Sequence, residues 1–173
     1  MTSGKLLFDP KLLGNRVSSI LPSGFEVRPL SLEDYSNGFY DCMEQLTVVG
    51  DVTQKMYADQ FNKMKRSEAK FIVVIVDKNT DRVAATGAVF TELKFARNCG
   101  QVAHIEDVSV HADFQGRKLG AMVVEQLKDI ALGLGCYKIS LNCNDGNIPF
   151  YEKCGLERKE IQMVLYTKNS QKL

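Results

Sequence analysis

Apolar and polar positions alternate over FEVRPL, residues 25–30, which reads as a strand halted by Pro29. In SLEDYSNGFYDCMEQL, residues 31–46, the period changes. Leu32, Tyr35, Phe39, Met43 and Leu46 recur at helical spacing, and Ser31 with Asp34 resembles a capping box, so one helix is predicted. A weaker helical pattern runs from Thr53 to Lys65 with Tyr57, Phe61 and Met64 on one side. KFIVVIV (70–76) reads as a buried strand, DKNTD (77–81) as a hairpin turn, and RVAATGAVFTELKF (82–95) as a long return strand. QVAHIEDVSV (101–110) is another strand. Beyond it, Leu119, Met122, Val123, Leu127, Ile130 and Leu134 mark a helix that ends near Gly133 and Gly135. CYKISLNC (136–143) follows as a strand, then a short helix IPFYEKC (148–154) capped by Asn147 and closed by Gly155. KEIQMVLYT (159–167) alternates as a final strand.

The predicted order is β-α-α-β-β-β-α-β-α-β, an α/β chain with a mixed, α+β-type sheet. Its hairpin-linked front half is antiparallel. The strand-helix-strand unit from Val102 to Cys143 requires a right-handed parallel crossover. Ligands favour the carboxyl ends of strands at such a crossover. No repeat or linker divides the chain, so residues 23–173 are expected to form one domain preceded by a loose arm, residues 1–22.

With 173 residues the chain can bury one substantial core, and 22 Lys plus Arg against 21 Asp plus Glu leave no basic field for nucleic acid or anionic lipid. The N-terminal apolar pieces are interrupted by Asp9, Pro10, Lys11 and Arg16, which fits neither a signal peptide nor a membrane span. Five scattered cysteines without a C-x-x-C pair argue against a disulfide framework and suggest a reducing, cytoplasmic setting. The two histidines, His104 and His111, give little support to a metal cluster or a Ser-His-Asp triad. No metal site is expected.

The segment QGRKLG, residues 115–120, lies where a strand ends and a helix begins. There the first helical N–H groups lack partners and the macrodipole adds positive potential, so a phosphate or pyrophosphate fits. Composition alone equally allows an ordinary helix start with a solvated Arg117 and Lys118. It is neither a P-loop nor a dinucleotide-binding fingerprint, since both glycine patterns are missing. Glu106 and Asp107 are neighbours on a strand, so alternation sends their side chains to opposite faces and only one is expected to face a given pocket.

EDVSV before the loop, QGRKLG within it, CYKISLNC after the helix and NIPFYEKCGL beyond together resemble the GNAT acetyltransferases. VAATGAVF, HIEDVSV and FYEKCG resemble most closely the branch that acetylates glucosamine 6-phosphate, and the likeness runs from about residue 25 to 166. The resemblance implies the GNAT fold, acetyl-CoA as acetyl donor, direct transfer to an amino-sugar phosphate on the way to UDP-N-acetylglucosamine, and a homodimer sharing its phosphate site. It puts the strand residues Val108, Ser109 and Val110 along the pantetheine arm. Gln115, Gly116, Arg117, Lys118, Leu119, Gly120 and Ala121 then surround the pyrophosphate, and Asn142, Asn147, Phe150, Tyr151 and Lys153 complete the cofactor side. Tyr151 would stand at the sulfur to protonate the leaving thiolate, although beside Phe150 it could equally be a packing aromatic. Glu106 and Asp107 would belong to the acceptor site, Glu106 as the better candidate for orienting the amine or accepting its proton, directly or through water, the ordinary alternative being one carboxylate in a salt bridge and the other in solvent. Thr47, Lys94, Phe95, Ala96, Arg97, Val108, Tyr137, Lys138 and Asn142 would meet the sugar and its phosphate.

Three positions depart from the family pattern. Lys118 replaces the loop's first glycine, which requires a negative φ there. Asn142 replaces an aspartate, so positioning rather than strong base catalysis is expected. Tyr166, followed by Lys168, stands where an arginine is usual. Two other readings remain open: a GNAT enzyme for a polyamine, peptide amine or lysine, and a CoA-binding module without transfer activity. Cys143 could form a mixed disulfide with CoA, the ordinary alternative being an inert buried thiol.

Overall fold

In the computed structural model, which describes residues 5–166, the apolar runs become a five-stranded sheet in the order β1-β2-β3-β4-β5. The strands are β1 (Phe25–Pro29), β2 (Lys70–Asp77), β3 (Arg82–Leu93), β4 (Gln101–Val110) and β5 (Lys138–Leu141). The first four pair antiparallel and β4 with β5 parallel, as the crossover required. The helices are α1 (Arg16–Ile20), α2 (Phe39–Met43), α3 (Gln54–Ser67), the single turn α4 (Ala96–Cys99), α5 (Leu119–Gly133) and α6 (Ile148–Lys153).

Nearly every residue of β2 is buried, because both sheet faces are covered. Phe71, Val73 and Ile75 pack with Val123, Leu127 and Ile130 of α5. On the other face Ile72, Val74 and Val76 pack with Phe39, Cys42, Tyr57 and Phe61 of α2 and α3. Burial of each such side chain contributes about 1.5–3 kcal/mol, and this drives α5 onto the sheet and fixes where its N-terminus points. The close approach runs over Gly87. A Cβ there would lie 2.5 Å from Val123 Cγ1 and 3.0 Å from Leu127 Cδ1. Gly87→Ala is therefore expected to lower the unfolding free energy by about 1–3 kcal/mol, read from urea denaturation, because α5 must lift off the sheet.

Over its described part, residues 5–22, the N-terminal segment is not the loose arm that was expected. Leu7, Leu13 and Val17 are buried, Leu6 bridges to Ser31, and the buried Gln126 amide donates to the Leu13 carbonyl at 2.5 Å. Arg16 ties the segment to α5 through Glu125 and Asp129, both at 2.7 Å. Three apolar side chains at the margin of the core outweigh the breaks that Asp9, Pro10 and Lys11 suggested.

The predicted helix over 31–46 is divided. Ser31 and Asp34 do form the capping box, but around a 3-10 turn, Leu32–Tyr35, pinned because Arg28 grips Asp34 at 2.6 Å. Gly38 then takes φ +84 and α2 starts afresh. The short helix near the C-terminus is entered differently as well. Asn147 makes no side-chain cap; Asn144 accepts from the Asn147 N–H at 3.0 Å, capping the 3-10 turn Asp145–Asn147 ahead of α6.

The final strand expected over Lys159–Thr167 is not formed over its described part. Residues 157–166 have no regular structure, and Ile161, Met163 and Leu165 are each about nine-tenths exposed. A strand needs a partner for its N–H and C=O groups, and no second strand of the described chain is paired with this segment. Thr167 and Lys168 lie outside the described residues.

Candidate active site

Between Val102↔Lys138 and Ile105↔Leu141 the parallel pair is regular, and then it ends while β4 runs on to Val110. The strands thus part where Glu106 to Val110 have no neighbour on the β5 side. At the same level β4 carries a bulge. Ala88 pairs with Glu106 and Thr86 with Ser109, so Asp107 and Val108 together oppose Gly87. Asp107 takes φ +56, an unfavourable conformation for a non-glycine residue that costs on the order of 1–3 kcal/mol.

The bulge corrects the expectation that alternation separates the two carboxylates. Residues 105–108 all line one cavity of about 260 Å³, but only Ile105 and Val108 pack in the cluster beneath α5; the two residues between them, Glu106 and Asp107, are both carried on the other side of the strand by the bulge. Beyond this stretch of β4 its walls are Leu46, Asn142, Cys143, Asn144, Asn147 and Tyr151. Tyr151 reaches it from α6, its ring edge-on to Phe150 at 4.9 Å. Burial first, then the neighbouring Cys143, Cys154 and Glu106, push the Tyr151 phenol above its ordinary pKa, so it is a proton donor at neutral pH. Cys143 is exposed rather than the buried thiol that was the ordinary alternative. Asn144 was missed as a lining residue, although its spacing to Asn147 is a capping signature.

The loop before α5 is an open backbone cradle. The Leu119, Gly120 and Ala121 N–H groups begin the helix without intrahelical acceptors, and Lys118 provides no side-chain cap. Gly116 has φ +78 with nothing near its missing Cβ, while a Cβ on Gly120 would lie 3.3 Å from Val110 Cγ2 and 3.5 Å from the Phe150 ring. Lys118 has φ +61, not the negative value expected of a non-glycine residue. The turn thus keeps the backbone path a glycine would take, at a cost of about 1–2 kcal/mol. Arg117 lies over Phe25 and Phe114, 5.7 and 5.6 Å from their centroids, so its guanidinium packs against these rings while its N–H remains in the loop. Gln115 donates its N–H to Ala112, and Ser109 Oγ donates to the Cys42 carbonyl at 2.6 Å, which anchors β4 to α2.

Of the residues expected at the sugar and its phosphate, Val108 and Asn142 line the cavity and the others do not. Lys94 pairs with Glu92, Phe95 and Ala96 are exposed, and Arg97, Asn98 and Cys99 form a left-handed turn. Tyr137 packs against Gly100, where a Cβ would come within 2.8 Å of its ring. Lys138 pairs with Val102, four positions before Asn142, which at strand rise is about 13 Å away. Thr47 follows the cavity residue Leu46 but does not line the cavity itself, and Lys153 and Phe150 also stay outside. Tyr166 is exposed beyond the sheet.

The acetyltransferase (GNAT) family pattern matches residues 29–156. The chain belongs to the GNAT acetyltransferase family. It is 42% identical over 158 residues to glucosamine 6-phosphate N-acetyltransferase 1 of Dictyostelium discoideum, covering 91% of this chain and 100% of that protein. The crystal structure of glucosamine-6-phosphate N-acetyltransferase from Arabidopsis thaliana superposes with a TM-score of 0.80 at 43% identity, covering 82% of this chain and 97% of that one. An acetyltransferase of Trypanosoma brucei superposes at 0.77 with 30% identity, covering 83% and 99%. The mixed sheet with its parted strands is the GNAT fold, and the cradle and cavity lie at its β4–β5 opening. The donor that serves this family, acetyl-CoA, fits what the chain offers: free helical N–H groups for a pyrophosphate and an unpaired strand edge for an amide-bearing arm. No helix among the described residues is long and apolar enough to cross a membrane.

Proposed function

We propose that this GNAT chain transfers the acetyl group of acetyl-CoA to the amine of D-glucosamine 6-phosphate, releasing N-acetyl-D-glucosamine 6-phosphate and CoA. The observation that carries the reading is the bulge at Asp107, which turns Glu106 and Asp107 into the same cavity as the Tyr151 phenol. Relatives at 42% identity bearing that name support the choice of amine.

The bound donor supplies an activated thioester. The loop N–H groups of residues 116–121 hold its pyrophosphate, and the free edge of Val108 to Val110 aligns its arm so that the thioester enters the cavity. Glu106 takes the proton released as the amine forms its bond to the carbonyl carbon, and Asp107 orients the amine. Tyr151 donates a proton to the departing sulfur, so the C–S bond breaks as the C–N bond forms and both protons are accounted for. Asn142 offers a neutral amide or its carbonyl for positioning.

The sugar phosphate requires cations, and Lys94, Arg97 and Lys138 are not among the residues that line the cavity of their own chain. A homodimer resolves this. The exposed Ile161, Met163 and Leu165 and the free edge of β5 favour a second copy whose cations reach the first copy's acceptor. Incubation with acetyl-CoA and glucosamine 6-phosphate tests the reading. It predicts free CoA and a sugar phosphate heavier by one acetyl group in equal amounts; CoA release no faster than without the sugar overturns it.

A further inference from the structure

We propose that Lys70 is a positioning residue of this active site, which holds Asp107 to the β2 side of the cavity and leaves Glu106 free for the amine proton. The inference rests on the acceptor role proposed above for the two carboxylates. It begins from a difficulty in the site. Two adjacent carboxylates turned into one cavity repel each other, and an arriving amine would be caught between two equivalent acceptors.

The sequence separates Lys70 and Asp107 by more than thirty residues, and the sheet reunites them. Lys70 opens β2 opposite Phe90 of β3, and its Nζ lies 3.7 Å from Asp107 Oδ2. The reach spans β3 and is possible only because the bulge brings Asp107 onto the face that Lys70 shares with Ile72 and Ala88. Lys70 is three-quarters buried at its side chain, whereas Asp107 keeps nearly half its surface open. The lysine is therefore the constrained partner. At 3.7 Å the contact is an ion pair rather than a tight hydrogen bond, so Asp107 keeps acceptor lone pairs for an amine N–H.

Other groups near Asp107 do not do this work. Glu106 repels it, the Tyr151 phenol with its raised pKa is a neutral donor, and Asn142 carries no charge. Lys94 is held by Glu92. Lys70 also counters the charge of an ammonium entering beside Asp107, which favours the neutral amine that can react.

The test compares Lys70→Met, Lys70→Arg, Asp107→Asn and the double variant Lys70→Met/Asp107→Asn. Lys70→Met is expected to lower kcat/KM for glucosamine 6-phosphate about 10- to 100-fold, with KM for acetyl-CoA within about two-fold of the parent. Lys70→Arg keeps most of the activity, and the double variant is no slower than Asp107→Asn. Parent-like activity of Lys70→Met, failure of Lys70→Arg to rescue, or losses that multiply in the double variant would overturn the proposal. A second readout does not depend on the acceptor. The Asp107 carboxyl ¹³C resonance, assigned with Asp107→Asn, shifts in Lys70→Met and stays in Lys70→Arg; an unmoved resonance in Lys70→Met removes the pairing. An inactive parent enzyme with that shift intact would instead remove only the assignment of the acceptor.

Discussion

Tyr151→Phe is expected to lower kcat about 10- to 1,000-fold while leaving acetyl-CoA affinity unchanged, the scale of losing a positioned proton donor. The substitution removes one oxygen and keeps the ring that packs on Phe150, so folding and the cavity wall persist. The phenol is held above its ordinary pKa by burial and by Cys143, Cys154 and Glu106. Because the raised value stabilises the neutral form, Tyr151 stays protonated throughout the neutral range. The rate therefore should not decline on its account until the pH exceeds about 10, the value of a free tyrosine. Steady-state kinetics with direct acetyl-CoA titration separate the two effects. An unchanged kcat would remove Tyr151 from the leaving-group role.

Glu106→Gln is the second large effect, a fall in kcat/KM for the amine of about 100- to 10,000-fold at neutral pH. Glutamine keeps the size and hydrogen-bonding reach but cannot take a proton. Raising the pH should recover part of the rate, since a larger fraction of the amine then arrives unprotonated. A loss of equal size at every pH would assign Glu106 to positioning alone. The comparison is informative because Glu106 and Asp107 share the cavity, and Asp107 is the carboxylate held by Lys70.

Much of this was legible in the sequence because period and punctuation carry it. The β2 run, the hairpin at Asp77–Asp81 and the α5 pattern each announced themselves, and they determine the sheet order. The segments FYEKCG and HIEDVSV pointed to the family through local residues. The bulge was not legible, because nothing in HIEDVSV says that Asp107 adopts φ +56; the cause lies across the sheet, where β3 and β4 shift register at Gly87. Lys118 raised the right question with the wrong sign, since local strain is tolerated where packing of α5 fixes the path of the turn.

The C-terminal pattern shows a different limit. Alternation in KEIQMVLYT describes a strand that can pair, and pairing depends on a neighbour that one chain does not supply to the described residues. The same lack of long-range information left Lys94, Arg97 and Lys138 expected at the sugar phosphate through the resemblance alone, and none of them lines the cavity. The register of β5 sets Lys138 at the far end from the cavity, about 13 Å along the chain from Asn142.

The most direct test of the central claim is the ratio of kcat/KM for glucosamine 6-phosphate to that for glucosamine, measured by free CoA release with saturating acetyl-CoA. The phosphate, gripped by charge-assisted bonds, is expected to raise kcat/KM by at least about 100-fold. Equal values for the two sugars would contradict it.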